Sequence, residues 1–81
     1  SKGDYKMGLH TLKKDEKARV TSLSNIDAAL RRKLQVLGVC DGCELKLKQK
    51  MIFNGPCVFE CNGHEFCIRN CDAKKIEVAC V

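Results

Sequence analysis

The sequence predicts a mainly β domain of the α+β class. It reads as a small closed barrel of about five strands, with one main helix between strands 1 and 2 and a short helical turn before the last strand. Three observations carry this. Apolar and polar residues alternate in short runs, as in Cys43, Leu45 and Leu47 against Glu44, Lys46 and Lys48. A single stretch keeps helical periodicity. Asn62-Gly63, a strong hairpin signal, joins two further strands. Several short strands in 81 residues favour closure, which leaves no long exposed edge.

Residues 1–7 read as an N-terminal tail, and residues 8–81 as a single domain. A charged turn, Lys13-Lys14-Asp15-Glu16, leads into a first strand around Val20. Ile26, Leu30, Leu34 and Leu37 then fall on one face of a helix. Ser24 or Asn25 can cap its start, Asp27 suits its first turn, and Gly38 is a ready C-terminal stop. Arg31, Arg32 and Lys33 lie off the stripe, toward solvent. The strand from Cys43 to Gln49 is half-buried by its alternation, and "KMIFNGP" breaks the pattern as a loop. After the hairpin, "CDAKK" is a helical turn and "IEVACV" alternates as the closing strand.

Composition narrows the function classes. The chain is 44% hydrophobic and 31% charged with one proline, which excludes disordered and fibrous proteins. No apolar run approaches the ~18 residues of a membrane span. Seven cysteines would suit a secreted disulfide scaffold, but the count is odd, no leader precedes the domain and aliphatic residues suffice for a core. A reduced, cytoplasmic chain is expected. The formal charge of +5 serves solubility or, on a sharper reading, an acidic partner, an anionic membrane face or nucleic acid. Lys46, Lys48 and Lys50 would form a basic stripe on one strand. Single-strand nucleic-acid binders interleave such residues with exposed aromatics. Here Phe59 and Phe66 belong to the core, leaving Tyr5 and Phe53, so no nucleic-acid partner is expected.

The stretch "CVFECNGHEFCIRNC" raises the question of a metal cage. A two-residue turn at Asn62-Gly63 sets Cys61 opposite His64, Phe59 opposite Phe66 and Cys57 opposite Ile68. Those six side chains share one face, and Val58, Glu60, Glu65, Cys67 and Arg69 share the other. Residues four apart on a strand are roughly 13 Å apart. Two thiolates on one zinc must lie within about 4 Å. Cys57 and Cys61 therefore cannot share an ion, and no hairpin cysteine faces another for a disulfide. They act as small core hydrophobes.

Cys40 and Cys43 form a Cys-x-x-Cys in a turn, a candidate for zinc or iron binding or thiol sensing. Two ligands are too few, so Cys71, Cys80 or a second chain would have to complete the site. A redox role would favour a helix N-terminus, and this motif leads into a strand. Cys61 opposite His64 lacks the oriented third group and the pocket that a catalytic dyad needs. His10 has no visible partner. No catalytic residue, enzyme activity or cofactor is expected.

Three blocks resemble the FeoA family, small cytoplasmic accessory proteins of bacterial ferrous iron uptake. "GLHTLKKDEKARVTSL" is similar to the family's opening and first strand, and "LRRKLQVLGVCDGCELKL" to its helix end, turn and next strand. "GPCVFECNGHEFCIRNCDAKKIEV" is similar to its hairpin and closing strand. The resemblance implies an SH3-like barrel decorated by helices. It also implies a partner, the FeoB permease with its cytoplasmic GTPase-bearing region, through which the protein would sit at the inner face of the membrane. Cys40, Cys43 and Cys71 depart from the family pattern. The same barrel occurs as a module of iron-dependent repressors, but this sequence shows no helix-turn-helix, so that relation is one of fold. The partner-binding candidates are Met51, Ile52 and Phe53, a loop tip bracketed by Lys50 and Asn54. The competing expectation is that this loop folds back and plugs the barrel end.

Overall fold

The computed structural model describes residues 6–53 and 55–81. Its elements run in the order β1 (Lys6–Gly8), a single 3-10 turn (Leu9–Thr11), β2 (Lys17–Ser22), α1 (Ala28–Leu37) and β3 (Glu44–Gln49). These are followed by β4 (Cys57–Cys61), β5 (His64–Ile68), α2 (Asn70–Ala73) and β6 (Glu77–Cys80). All pairings are antiparallel, in the spatial order β1-β6-β2-β3-β4-β5.

The mainly β architecture stands, with one helix between the first two long strands and a helical turn before the last. Closure does not: β1 and β5 are the two edges of an open six-stranded sheet. Helix α1, Ile26 just before it and the Leu9–Leu12 segment supply Leu9, Leu12, Ile26, Leu30 and Leu34 to the same core as the strands. These side chains cover the apolar face, so the sheet has no need to bury it against itself. The additional strand comes from Lys6 and Met7, expected in the tail, which pair with Ala79 and Val78 of β6. Three residues give this segment too little pattern to read as a strand. The rest of the N-terminal tail, Tyr5 included, lies outside the described residues.

Helix α1 begins later than its periodicity suggests. Asp27, with extended backbone, is its N-cap and accepts from the Leu30 N–H at 2.8 Å. Ile26 is buried but precedes the helix, as a hydrophobic residue before a cap often does. Gly38 ends the helix in the left-handed region, φ 80°, where a side chain would be strained. The Val39 N–H then bonds back to the Leu34 carbonyl at 2.8 Å and turns the chain toward β3.

The β4–β5 hairpin has the register its turn demands. Cys57 pairs with Ile68, Phe59 with Phe66 and Cys61 with His64. Asn62 and Gly63 both take positive φ, 53° and 83°, as a tight hairpin turn of this kind requires. Five of the six side chains assigned to the core face are buried. The exception is His64, which lies beside the turn and is exposed.

Candidate functional site

Two regions carry chemistry beyond the core, and the β3–β4 pair places them at its opposite ends. At one end lies the loop after β3. Met51 is 45% exposed, Ile52 78% and Phe53 93%, so the tip points into solvent and does not plug the end of the sheet. Phe53 has φ 58°, an unusual conformation for a bulky residue. The Gly55 N–H bonds to the Ile52 carbonyl at 3.2 Å, and a Cβ at Gly55 would come within 3.0 Å of the Met51 Cβ. Asn54 lies outside the described residues.

The stem of this loop is tied down. The Lys50 ammonium donates to the carbonyls of His10, at 3.3 Å, and Leu12, at 3.2 Å. That contact takes Lys50 out of the expected basic stripe, whose other members Lys46 and Lys48 are half-buried. A bulge between Leu47 and Gln49 breaks the strand's regular alternation there. His10 itself packs its ring against Gly8, where an added Cβ would meet Nδ1 at 2.5 Å. Its Nδ1 is buried with no hydrogen-bond partner. Burial first, then the charges of Lys74 and Lys50, push the imidazole pKa below its ordinary value, which favours the neutral ring.

At the other end lie three thiols. The turn Cys40-Asp41-Gly42-Cys43 is closed by the Cys43 N–H on the Cys40 carbonyl at 3.0 Å. Gly42 supplies its positive φ, 89°. The Cys40 and Cys43 sulfurs are 3.3 Å apart, and the Cys40 N–H donates to the Cys43 sulfur at 3.3 Å. Hydrogen bonding to Cys43 is the largest of the effects that raise the Cys40 pKa. The buried Cys61 thiol is also raised, by desolvation first and then by its neighbours Cys43 and Cys40. The spatial companion of the Cys-x-x-Cys is thus Cys61, a residue not among those that the sequence offers to complete a metal site there, Cys71, Cys80 or a second chain. A signal for it exists in the sequence. Consecutive strands joined by a loop pair antiparallel, which sets the start of β3 beside the end of β4, and Cys43 and Cys61 share the inward parity.

The structure does not extend this cluster into a metal cage. Among the described residues no group of three or more His, Cys, Asp or Glu side chains is arranged to hold an ion. Cys57 and Cys61 are each 3% exposed and lie in the hydrophobic core, as the hairpin parity predicts.

One exposed patch was not anticipated. Val36, 82% exposed, lines an apolar depression with Ala29, Leu37 and Phe66, rimmed by Arg32 and Lys33. Ala29 and Val36, seven positions apart, form a second apolar line on α1 that could have been read from the sequence.

The FeoA domain matches residues 7–80 of the chain. Among solved structures, the FeoA protein of Chlorobium tepidum is similar at 33% identity and a TM-score of 0.85, over 93% of this chain and 70% of that one. Iron(II) transport protein A of Clostridium thermocellum is 28% identical with a TM-score of 0.83, over 93% of this chain and 46% of that one. A manganese-dependent transcriptional repressor shares the fold at 16% identity and a TM-score of 0.83, over 94% of this chain and 42% of the repressor. No curated protein matches. With the domain match spanning almost its whole length, the chain belongs to the FeoA family, whose members are involved in ferrous iron transport.

Proposed function

We propose that the chain is a non-catalytic accessory protein of bacterial ferrous iron uptake that binds the cytoplasmic, GTPase-bearing region of a FeoB-type permease through Met51, Ile52 and Phe53. The observation that carries this reading is the exposure of three consecutive large apolar side chains on a loop whose stem is fixed by Lys50. An apolar tip on a fixed stem loses little freedom on docking, which favours its use as an anchor. Among the described residues no helix is long and apolar enough to cross a membrane, and in this reading the protein reaches the inner membrane face only through its partner.

Burying Ile52 and Phe53 in a partner pocket is worth about 1.5–3 kcal/mol for each side chain. The I52S/F53S variant is therefore expected to bind the immobilised permease region at least about a hundredfold more weakly. Its melting transition should match the wild type, because neither side chain contributes to the core. Undiminished binding by this variant would remove the loop from the interface.

A further inference from the structure

We propose that Cys40 and Cys43 form a redox-active dithiol, a site of reversible intramolecular disulfide formation that takes a low-molecular-weight disulfide as its co-reactant. The proposal is independent of the docking reading above.

The backbone already has the shape a bridge needs. A β-turn holds its end Cα atoms within about 7 Å, which overlaps the range found across disulfides. The turn is closed by its own hydrogen bond, and it is also fastened to β2. The Gly42 N–H donates to the Val20 carbonyl, and the Val20 N–H donates to the Cys43 carbonyl, each at 2.8 Å. On its other side Val39 is buried and bonded to Leu34 of α1. Held by β2 and α1, the two sulfurs rest 3.3 Å apart. A disulfide bond is about 2.05 Å long, so side-chain rotation has to bring them only about 1.3 Å closer. Gly42 keeps its left-handed φ with no atom within 4 Å of a would-be Cβ. Its role is conformational, to make this turn rather than to clear space for a neighbour.

Access differs between the thiols in the way such a site requires. Cys40 is exposed, Cys43 is half-buried and Cys61 is buried. Cys40 borders an open depression lined also by Ser24, Arg31, Gln35 and Asp41, so a small disulfide can reach it from solvent. In the first step the Cys40 thiolate, the minor form because Cys43 raises its pKa and no helix N-terminus lowers it, attacks one sulfur of the co-reactant, so exchange quickens as pH rises. A protein–co-reactant S–S bond forms, the co-reactant's own S–S bond breaks, and one thiol leaves with the electron pair and a proton. In the second step the Cys43 thiolate attacks the Cys40 sulfur, the mixed bond breaks, and the second thiol leaves in the same way. Two protein thiols are oxidised, one disulfide is reduced to two thiols, and the two protons from Cys40 and Cys43 end on those thiols.

The test uses the full chain, reduced and freed of reductant, then equilibrated with glutathione buffers of graded oxidised-to-reduced ratio, quenched by alkylation and mapped by peptide mass spectrometry. The expected result is loss of the Cys40 and Cys43 free thiols together, in one transition, with a Cys40–Cys43 crosslinked peptide and return to the free thiols when the ratio is reversed. C43S is expected to stop at a glutathione adduct on Cys40, and C40S to lose the crosslink. Three outcomes would overturn the proposal: a stable glutathione adduct on Cys40 of the wild type, a crosslink of Cys43 to Cys61, or survival of both free thiols at the most oxidising ratio. Because the wild type alone decides among these, misfolding of a variant cannot mask the answer.

Discussion

The two ends of the β3–β4 pair are built from the same two strands and differ in almost everything else. One end holds two thiols in a turn stitched to β2, beside the buried Cys61 at the end of β4. The other throws three large apolar side chains into solvent from a loop tethered by a single lysine at its stem. The thiol end is rigid because its backbone groups find partners on neighbouring elements, and rigidity is what holds two sulfurs in register. The apolar end has no such cover. Ile52 and Phe53 in particular bury little on folding, which leaves most of their burial free energy for association.

Substitutions can break this contrast in graded steps. The largest effect is expected between the ends, at Phe59, 1% exposed and paired with Phe66. Phe59→Ala should cost about 3–5 kcal/mol in urea unfolding, whereas Ile52→Ala at the tip should stay within about 0.5 kcal/mol. Equal losses at the two positions would mean that the tip belongs to the core.

A smaller effect is expected within the thiol cluster. Cys61→Ser places a hydroxyl among buried apolar neighbours and should lower stability by about 1–3 kcal/mol. Cys40→Ser, made at the exposed member, should change it by less than about 0.5 kcal/mol. Denaturation midpoints of the two reduced variants give the comparison directly.

At the tip, Phe53→Gly removes the penalty of a left-handed φ and should stabilise the fold by about 0.5–1 kcal/mol, partly offset by the greater freedom of glycine when unfolded. The same variant should weaken permease binding. A gain in stability joined to a loss in binding would locate strain and recognition in one residue.

The smallest effect is a pH dependence near the stem. The folded-state pKa of His10 lies below its ordinary value of 6.5, so the unfolded chain binds more protons as the solution acidifies. The contribution of the neutral ring is complete above pH 6.5 and is lost as pH falls through the folded pKa. His10→Ala should flatten stability against pH in that window, measured by thermal melts from neutral to mildly acidic buffer.

Much of this molecule was legible before any tertiary contact was known. Asn62-Gly63 fixes a turn by local backbone preference, and side-chain alternation then assigns Cys57, Phe59, Cys61, Phe66 and Ile68 to the buried face. Gly38 ends α1 where the apolar stripe runs out. The N-cap was less legible, because Ser24, Asn25 and Asp27 can all cap a helix. Burial of Ile26 selects Asp27 by placing the preceding turn against the core. Of the site residues, the candidates at 40, 43 and 51–53 were visible as motifs. The company of Cys61 was signalled by the shared inward parity of consecutive strands, and the register of β3 on β4 makes it plain.

The sequence by itself determined the hairpin register, the helix and its glycine stop, and the inward thiols at 57 and 61, because each follows from dihedral preferences and periodicity within a few residues. Tertiary structure decided that the sheet stays open, that Lys6–Gly8 adds an edge strand to β6, and that Met51, Ile52 and Phe53 remain in solvent. Those outcomes depend on which surfaces α1 and the Leu9–Leu12 segment already cover, a competition between elements distant in the chain that local patterns do not encode.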